Sequence, residues 1–264
     1  MTIKDLMEIG RLLFAEIGKE RLRPFETVPL GRGAGGDRTF PIDKKAEDII
    51  IKYIEDLDEP LSIISEEAGI KELKGGGPIV MIDPIDGSKN AINGLPFYCT
   101  SIAVANGDTM GDVCMSIVVN LLTGDAFLAE KGKGAFFNGE RIYAQTDDKF
   151  YLVAYEAPTP GTDIAKIMGL LSGAGRSRCF GAMALDLSYV AYGAISVFAT
   201  PTPSRAFDFA GGYLLVKEAG GVLTDMAGSS IEGVKLDMKR SVPLLASGNK
   251  ALHEKALRLL SLSP

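Results

Sequence analysis

Pro78-Ile79-Val80-Met81-Ile82-Asp83-Pro84-Ile85-Asp86-Gly87-Ser88-Lys89-Asn90 is the stretch on which the reading of this chain turns. Its first five residues form an apolar run after a Gly75-Gly76-Gly77 turn, and such a run reads as a buried strand. Two carboxylates three residues apart follow, and then a Gly-Ser pair opens a new element. Acids gathered at a strand end suit hard cations, because Mg²⁺ takes oxygen ligands. A Gly-Ser opening offers free backbone N–H groups, which suit a phosphate. Metal ligands beside a phosphate cradle point to metal-assisted phosphoryl transfer. Pro84 fits the same picture: it stiffens the link between the acids and has no N–H to leave unpaired beside a cation.

The surrounding chain sets bounds. Its 264 residues, 46% of them hydrophobic, suit one large α/β unit or two intimate domains with a substantial core. A net charge of −6, with no run of Lys or Arg, argues against nucleic acid or an anionic membrane as partner. An acidic protein that handles phosphate must reverse its local charge, and bound cations do so directly. Cys99, Cys114 and Cys179 form no C-x-x-C pair, and Met1-Thr2-Ile3-Lys4-Asp5 lacks the apolar region of a signal peptide. A reducing, cytoplasmic setting is therefore expected. No apolar stretch reaches about 18 residues, so no membrane span is expected. The single histidine, His253, is too little for a His-based triad or a His-rich metal site and reads as a packing or surface residue.

Along the chain, Ile3, Leu6, Met7, Leu13, Phe14 and Ile17 recur at helical spacing. Residues 29–37 read as a flexible loop. Gly31, Gly33 and Gly36 match G-x-G-x-x-G, but no β-rich strand precedes them, so a dinucleotide site is a weak alternative. Asp43 to Asp56 reads as a helix, and Leu61 to Ser65 as a short strand ending at Glu66-Glu67. After the opening motif, β signals at Thr100–Ala105, Val113–Val119, Ala126–Ala129, Ala135–Phe137 and Arg141–Tyr143 are punctuated by Gly-Asp, Thr-Gly and Asn-Gly turns. An antiparallel meander is the economical reading. Beyond it, strands at Phe150–Tyr155, Ser177–Phe180 and Ala194–Ala199 alternate with helices at Asp163–Leu171, Ala182–Tyr192 and Ala206–Ala219. Short strands at Val222–Thr224 and Leu244–Ala246 and a helix at Lys250–Leu260 close the chain. Residues 1–147 thus read as an α+β half and 148–264 as an α/β half.

Three acidic features fall where elements begin or end: Glu66-Glu67, Asp83 with Asp86, and Asp208. Taken singly, each has a plain explanation, such as a helix cap or a solvated edge. Together, D-P-I-D-G-S-x-N with Gly94-Leu95-Pro96, Phe207-Asp208-Phe209-Ala210-Gly211-Gly212 with Glu218-Ala219-Gly220-Gly221, and the upstream Glu-Glu resemble the inositol monophosphatase superfamily. The length resembles the compact archaeal-type members, which act on both inositol monophosphate and fructose 1,6-bisphosphate.

The resemblance implies an α+β fold layered α-β-α-β-α, a homodimer, and two or three Mg²⁺ per site, with Mn²⁺ able to substitute. It implies that Glu66, Asp83 and the Ile85 carbonyl hold a first ion, that Asp83, Asp86 and Asp208 hold a second, and that Glu66 helps a weaker third. Gly87 and Ser88 N–H groups would bind the phosphate. Asp43 would pair with the Ser88 hydroxyl, and the two would orient and deprotonate the attacking water. Gly181 and Ala182 would let the sugar ring approach the backbone. The loop from Leu30 to Thr39 would close over the site.

Substrate preference rests on weaker signals. Inositol-tuned members carry a Glu seven residues before the second-motif Asp, and Pro201 stands there in this chain. Arg176, Arg178 and Arg205 are candidates for a non-reacting phosphate, because guanidinium binds phosphate in bidentate fashion. A Mg²⁺-dependent sugar or inositol phosphatase is the leading expectation. A 3′-phosphoadenosine 5′-phosphate phosphatase of the same superfamily and a catalytically silent metal-binding relative are the alternatives.

Overall fold

A computed structural model describes residues 1–18 and 26–262. Helix α1 (Ile3–Gly18) is followed by a small hairpin, β1 (Gly31–Arg32) and β2 (Arg38–Thr39), and by α2 (Pro41–Asp56). Strands β3 (Leu61–Ser65), β4 (Gly69–Leu73) and β5 (Ile79–Asp86) lead into a short helix, α3 (Ser88–Ile92). The expected meander follows as β6 (Cys99–Ala105), β7 (Val113–Asn120), β8 (Ala126–Glu130), β9 (Gly134–Phe137) and β10 (Glu140–Ile142). The second half runs β11 (Val153–Tyr155), α4 (Pro160–Ser172), β12 (Ser177–Arg178), α5 (Met183–Ala191), β13 (Val197–Arg205), α6 (Ala206–Glu218), β14 (Val222–Asp225), β15 (Arg240–Ser247) and α7 (Lys250–Leu260).

The first eight-stranded sheet has the order β10-β9-β8-β7-β6-β5-β3-β4 and is antiparallel except for the β3–β5 pair. The second, of five strands, has the order β12-β11-β13-β15-β14, with β11 parallel to both its neighbours. Side chains alternate across each sheet with period two. In β6, Ile102 and Val104 face α1 and α2, whereas Cys99, Ala103 and Ala105 face α5 and α6. In β13, Phe198 faces α5 and α6, whereas Val197 and Ala199 face α4 and α7. The result is five layers, α1/α2, sheet, α5/α6, sheet, α4/α7, as the α-β-α-β-α expectation requires. Helix α6 buries nearly its whole surface, because it lies between the two sheets. Among the described residues, no helix is long and apolar enough to cross a membrane.

The element boundaries differ from expectation in three places that matter. Residues 29–37 are not an irregular loop: Gly31–Arg32 pairs with Arg38–Thr39. Strand β5 does not stop at Ile82 but runs through the motif to Asp86, with a register shift against β6 between Asp83 and Asp86. Strand β13 does not stop at Ala199. It continues to Arg205, with its pairing to β15 interrupted between Thr200 and Ser204, where Pro201 and Pro203 have no N–H to give.

Candidate active site

The shift in β5 decides where the acids point. On a regular strand, residues three apart face opposite sides. Val80 and Ile82 pack towards α1 and α2, which sends Asp83 to the other face. After the irregularity Ile85, not Pro84, packs with Val80 and Ile82, so the phase has flipped. Asp86 therefore also turns towards the α5/α6 layer, where its Oδ2 accepts from the Ala184 N–H at 2.6 Å and from the Cys99 thiol at 3.7 Å. Thr100 Oγ1 donates to the Pro84 carbonyl at 2.6 Å and fixes the irregular turn.

Two further aspartates arrive on helix N-termini. Asp43 is the third residue of α2, and its Oδ2 accepts from the Phe40 N–H at 2.6 Å. Asp208 is the third residue of α6 and accepts from the Arg205 N–H at 2.8 Å. Each caps its helix and is held rigid by doing so. A helix cap and a place in the cleft's surroundings are thus compatible in one carboxyl. The free oxygen of Asp43 accepts from the Ser88 hydroxyl at 2.6 Å, and the Ile85 carbonyl lies 2.8 Å from that hydroxyl. One turn along α2, buried Glu47 accepts from Ser65 Oγ at 2.6 Å and from the Ala68 N–H at 2.7 Å, pinning the Glu66-Glu67 turn.

The hairpin lies against that turn. Ala34 and Gly35 donate backbone N–H groups to the carbonyls of Glu67 and Glu66, and Thr39 donates its hydroxyl to Glu67. A Cβ on Gly35 would stand 3.2 Å from the Glu66 carbonyl and 3.3 Å from Phe207, so the approach requires glycine. Arg205 reaches across from the start of α6 to Asp37 at 2.6 Å, and Arg240 stands 3.8 Å from the same carboxylate.

A cleft of about 660 Å³ opens among these elements. Glu66, Asp83, Ile85, Asp86, Gly87, Ser88, Gly181, Arg205 and Asp208 all line it. Asp43 stands behind Ser88 rather than on the surface of the cleft, and Ala182 is fully buried beneath Gly181. Arg176 and Arg178 are exposed at the edge strand β12, with their side chains hydrogen-bonded to neighbouring carbonyls, and neither lines the cleft. The cations that do line it beside Arg205 are Arg32, Arg38, Lys89 and Arg240, which the sequence reading passed over. It also passed over Asn90, whose amide donates to the carbonyls of Phe97 at 2.8 Å and Phe180 at 2.6 Å. That amide staples the turn at Gly181 to the motif helix, a role that its place in the D-P-I-D-G-S-x-N string could have flagged.

Burial and mutual repulsion dominate the electrostatics. Burial pushes Asp86 up to about 7 and Asp208 and Asp43 up to about 6. Glu66 and Asp83 are pushed well above the carboxylate range, first by burial and then by neighbouring acids. Asp83 Oδ1 is buried with no hydrogen-bond partner. Among the described residues, no three acidic, His or Cys side chains already converge on one point at ligand distance. Carboxylates crowded without a counter-ion repel one another, and a hard cation is the group that would draw them together. The donor set of carboxylates plus the Ile85 carbonyl fits Mg²⁺. His253, by contrast, is a packing residue: it is buried between Thr224 at 2.8 Å and Ser247 at 3.1 Å, and burial pulls its pKa down to about 4.

Residues 12–263 match the inositol monophosphatase family. The chain is 37% identical to a fructose-1,6-bisphosphatase/inositol-1-monophosphatase from Methanothermobacter thermautotrophicus, over 86% of this chain and 85% of that one. It is 34% identical to a bifunctional NADP phosphatase/NAD kinase from Methanococcus maripaludis, over 97% of this chain and 48% of that one. A solved structure from Pyrococcus horikoshii, described as having similarities to inositol-1 monophosphatase, superposes with a TM-score of 0.81 at 28% identity, covering 95% of this chain and 94% of that one.

Proposed function

The chain belongs to the inositol monophosphatase family, and from that membership we propose that it hydrolyses phosphate monoesters of sugars or inositol with Mg²⁺. Fructose 1,6-bisphosphate and inositol 1-phosphate are the proposed substrates, after the names of its relatives. One observation carries the reading: the bonded pair Asp43–Ser88 sits directly beside a cleft in which Glu66, Asp83, Asp86 and Asp208 stand together with their charges opposed by burial.

Glu66, Asp83 and the Ile85 carbonyl, and Asp83, Asp86 and Asp208, are the groups proposed to hold the cations. When bound, Mg²⁺ would neutralise phosphate charge and make a water more acidic. The Gly87 and Ser88 N–H groups bind a phosphate oxygen at the start of α3. A Cβ on Gly87 would meet the Phe97 carbonyl at 3.0 Å, and its φ of +88° is a left-handed conformation, so this position requires glycine. Ser88 holds the attacking water by its hydroxyl, taking a proton from it as its own passes to Asp43. The water oxygen bonds to phosphorus while the bond to the alcohol oxygen breaks, the departing alkoxide takes a proton from a solvent water, and Asp43 returns its proton to solvent. Placement and charge cancellation supply most of the acceleration in such a reaction. Residues 1–147 would supply the water, the phosphate cradle and most cation ligands, and residues 148–264 would supply Asp208 and the alcohol contacts. Two or three ions per site, Mn²⁺ substitution, a homodimer and a cytoplasmic setting belong to the same proposal.

The NADP phosphatase relatives favour a second reading, in which the ester is a nucleotide phosphate. One assay separates the two: phosphate release with and without Mg²⁺ from inositol 1-phosphate, fructose 1,6-bisphosphate, NADP and 3′-phosphoadenosine 5′-phosphate. Mg²⁺-dependent release from the first two is expected. Release only from the nucleotides would move the assignment to them, and release from none would overturn both.

A further inference from the structure

One acid in the cleft has no part in the chemistry so far. Glu156 follows β11 and lines the cleft with Gly181, Thr200 and Ser204. Its N–H donates to the Ala199 carbonyl at 3.1 Å, which continues the β11–β13 pairing by one residue. Val153 and Tyr155 face α4 and α7 and Ala154 faces α5 and α6, so alternation turns the Glu156 side chain to the α5/α6 face, where the cleft lies. No hydrogen bond or ion pair among the described residues engages its carboxyl, and the charged groups acting on it are Asp86 and Asp208, both acids. Glu156 is half-buried, and its carboxyl stands open to the cleft with no partner among the described residues.

Its surroundings narrow what can meet it there. Continued by one residue, the β11–β13 pairing sets Glu156 beside Thr200, and the charged groups that act on it are acids, whereas the cations of the cleft are Arg32, Arg38, Lys89 and the Arg205–Asp37–Arg240 group. A fully buried acid, Asp186 on α5, lies within electrostatic reach of Glu156, and neither of its oxygens has a partner. An anionic substituent beside Glu156 would be repelled by these acids. A hydroxyl finds partners: carboxyl oxygens accept from it, and threonine and serine hydroxyls both give and accept.

We propose that Glu156 is a specificity-determining residue that accepts hydrogen bonds from hydroxyl groups of the departing alcohol. The cleft is then polarised, with the reacting phosphate in the Gly87–Ser88 cradle, any further anion on the arginine side, and the neutral hydroxyl-bearing part against Glu156. This assignment rests on the phosphatase reading and names the part of the substrate that the reading leaves open.

The test compares an ester whose alcohol carries hydroxyls, inositol 1-phosphate, with one that carries none, p-nitrophenyl phosphate. Glu156→Leu keeps the volume and removes the acceptor. It is expected to raise KM for inositol 1-phosphate about tenfold or more, the weight of one hydrogen bond to an acid. For p-nitrophenyl phosphate, kcat/KM is expected to stay within about twofold, and Glu156→Gln, which restores an acceptor, is expected to recover most of the loss. Free myo-inositol should inhibit p-nitrophenyl phosphate hydrolysis by the native protein and much less by Glu156→Leu. If the leucine variant melts below the assay temperature, Glu156→Ala takes its place. Equal losses on both esters, or no loss on either, would overturn the assignment. Failure of the native protein to hydrolyse either ester would overturn the phosphatase reading, and this inference with it.

Discussion

Ser88 has one hydroxyl proton and two acceptors within reach, Asp43 Oδ1 at 2.6 Å and the Ile85 carbonyl at 2.8 Å. It donates to one at a time. When Asp43 is ionised the proton goes to the carboxylate, and the Ile85 carbonyl is free for a cation. When Asp43 is protonated its own O–H points at Ser88, and the serine proton turns back to Ile85. The charge on Asp43 therefore decides both the base and one ligand, and burial places that charge near pH 6 in the absence of cations. Ser88→Ala is expected to lower kcat about 10²- to 10⁴-fold, the usual weight of a positioned proton acceptor, with a smaller change in KM. Asp43→Asn keeps an acceptor for the Phe40 N–H and removes the base. The acidic limb of the kcat profile, at or below about pH 6 because nearby cations favour the carboxylate, is expected to vanish with it. A limb that survives in Asp43→Asn would assign the base elsewhere. At this scale the sequence was partly legible. Asp83, Asp86 and Ser88 stand out by residue type and spacing, but the Asp43–Ser88 bond joins positions 45 apart, and only the family resemblance linked them. Arg205 lines the cleft, whereas Arg178 lies on, and Arg176 just before, an edge strand whose two-residue length no sequence pattern announces.

At the scale of elements, regular periodicity was readable and its interruptions were not. A D-x-x-D pair on an even pleat would face two ways, and it is the irregularity at Pro84 that brings both acids to one side. The strand read as ending at Ala199 runs on to Arg205, and Pro201 and Pro203 sit in the stretch where its ladder to β15 is interrupted. The glycine-rich segment was read as a loop because nothing local shows that Glu66 and Glu67 supply its missing backbone partners. Its anchor on the far side is Asp37, shared by Arg205 and Arg240. Asp37→Ala is expected to speed amide exchange of Ala34 and Gly35 about tenfold or more, since a charge-assisted hydrogen bond closing a local unit contributes about 1.5–3 kcal/mol. Exchange in the buried strand β6 is expected to stay unchanged. Equal exchange at Ala34 and Gly35 in both proteins would mean that the contacts with Glu66 and Glu67 suffice without Asp37.

At the scale of the whole molecule, the five-layer arrangement followed from alternation and helical spacing. The layers meet at one cluster of buried acids, so the stability of the fold is expected to answer to pH and to Mg²⁺. Burial raises Asp86 and Glu67 to about 7, Asp208 and Asp43 to about 6, and Glu156 to about 8. Each group then binds its proton more tightly in the folded state than in the unfolded chain. Its contribution is fully present below the ordinary carboxylate range and is lost as pH rises through the raised value. His253 acts in the opposite sense: its pKa is lowered to about 4, so its contribution is present above about 6.5 and lost as pH falls towards 4. Between about pH 6 and 8 the acids outnumber the histidine, so the melting temperature of the metal-free protein is expected to fall by several degrees. Saturating Mg²⁺ is expected to remove that slope, because the cation stabilises the ionised carboxylates that low pH would otherwise protonate. Asp83→Asn removes a buried carboxyl of the cluster, whose Oδ1 has no partner, and with it a ligand proposed for both ions. In metal-free buffer at about pH 8 this variant is expected to melt higher than the native chain, to gain little from Mg²⁺, and to have lost nearly all activity. Thermal melts of the two proteins across that range, with Mg²⁺ and with chelator, decide the matter. A native slope that is flat in chelator, or unchanged by Mg²⁺, would show that these acids are not poised for a cation.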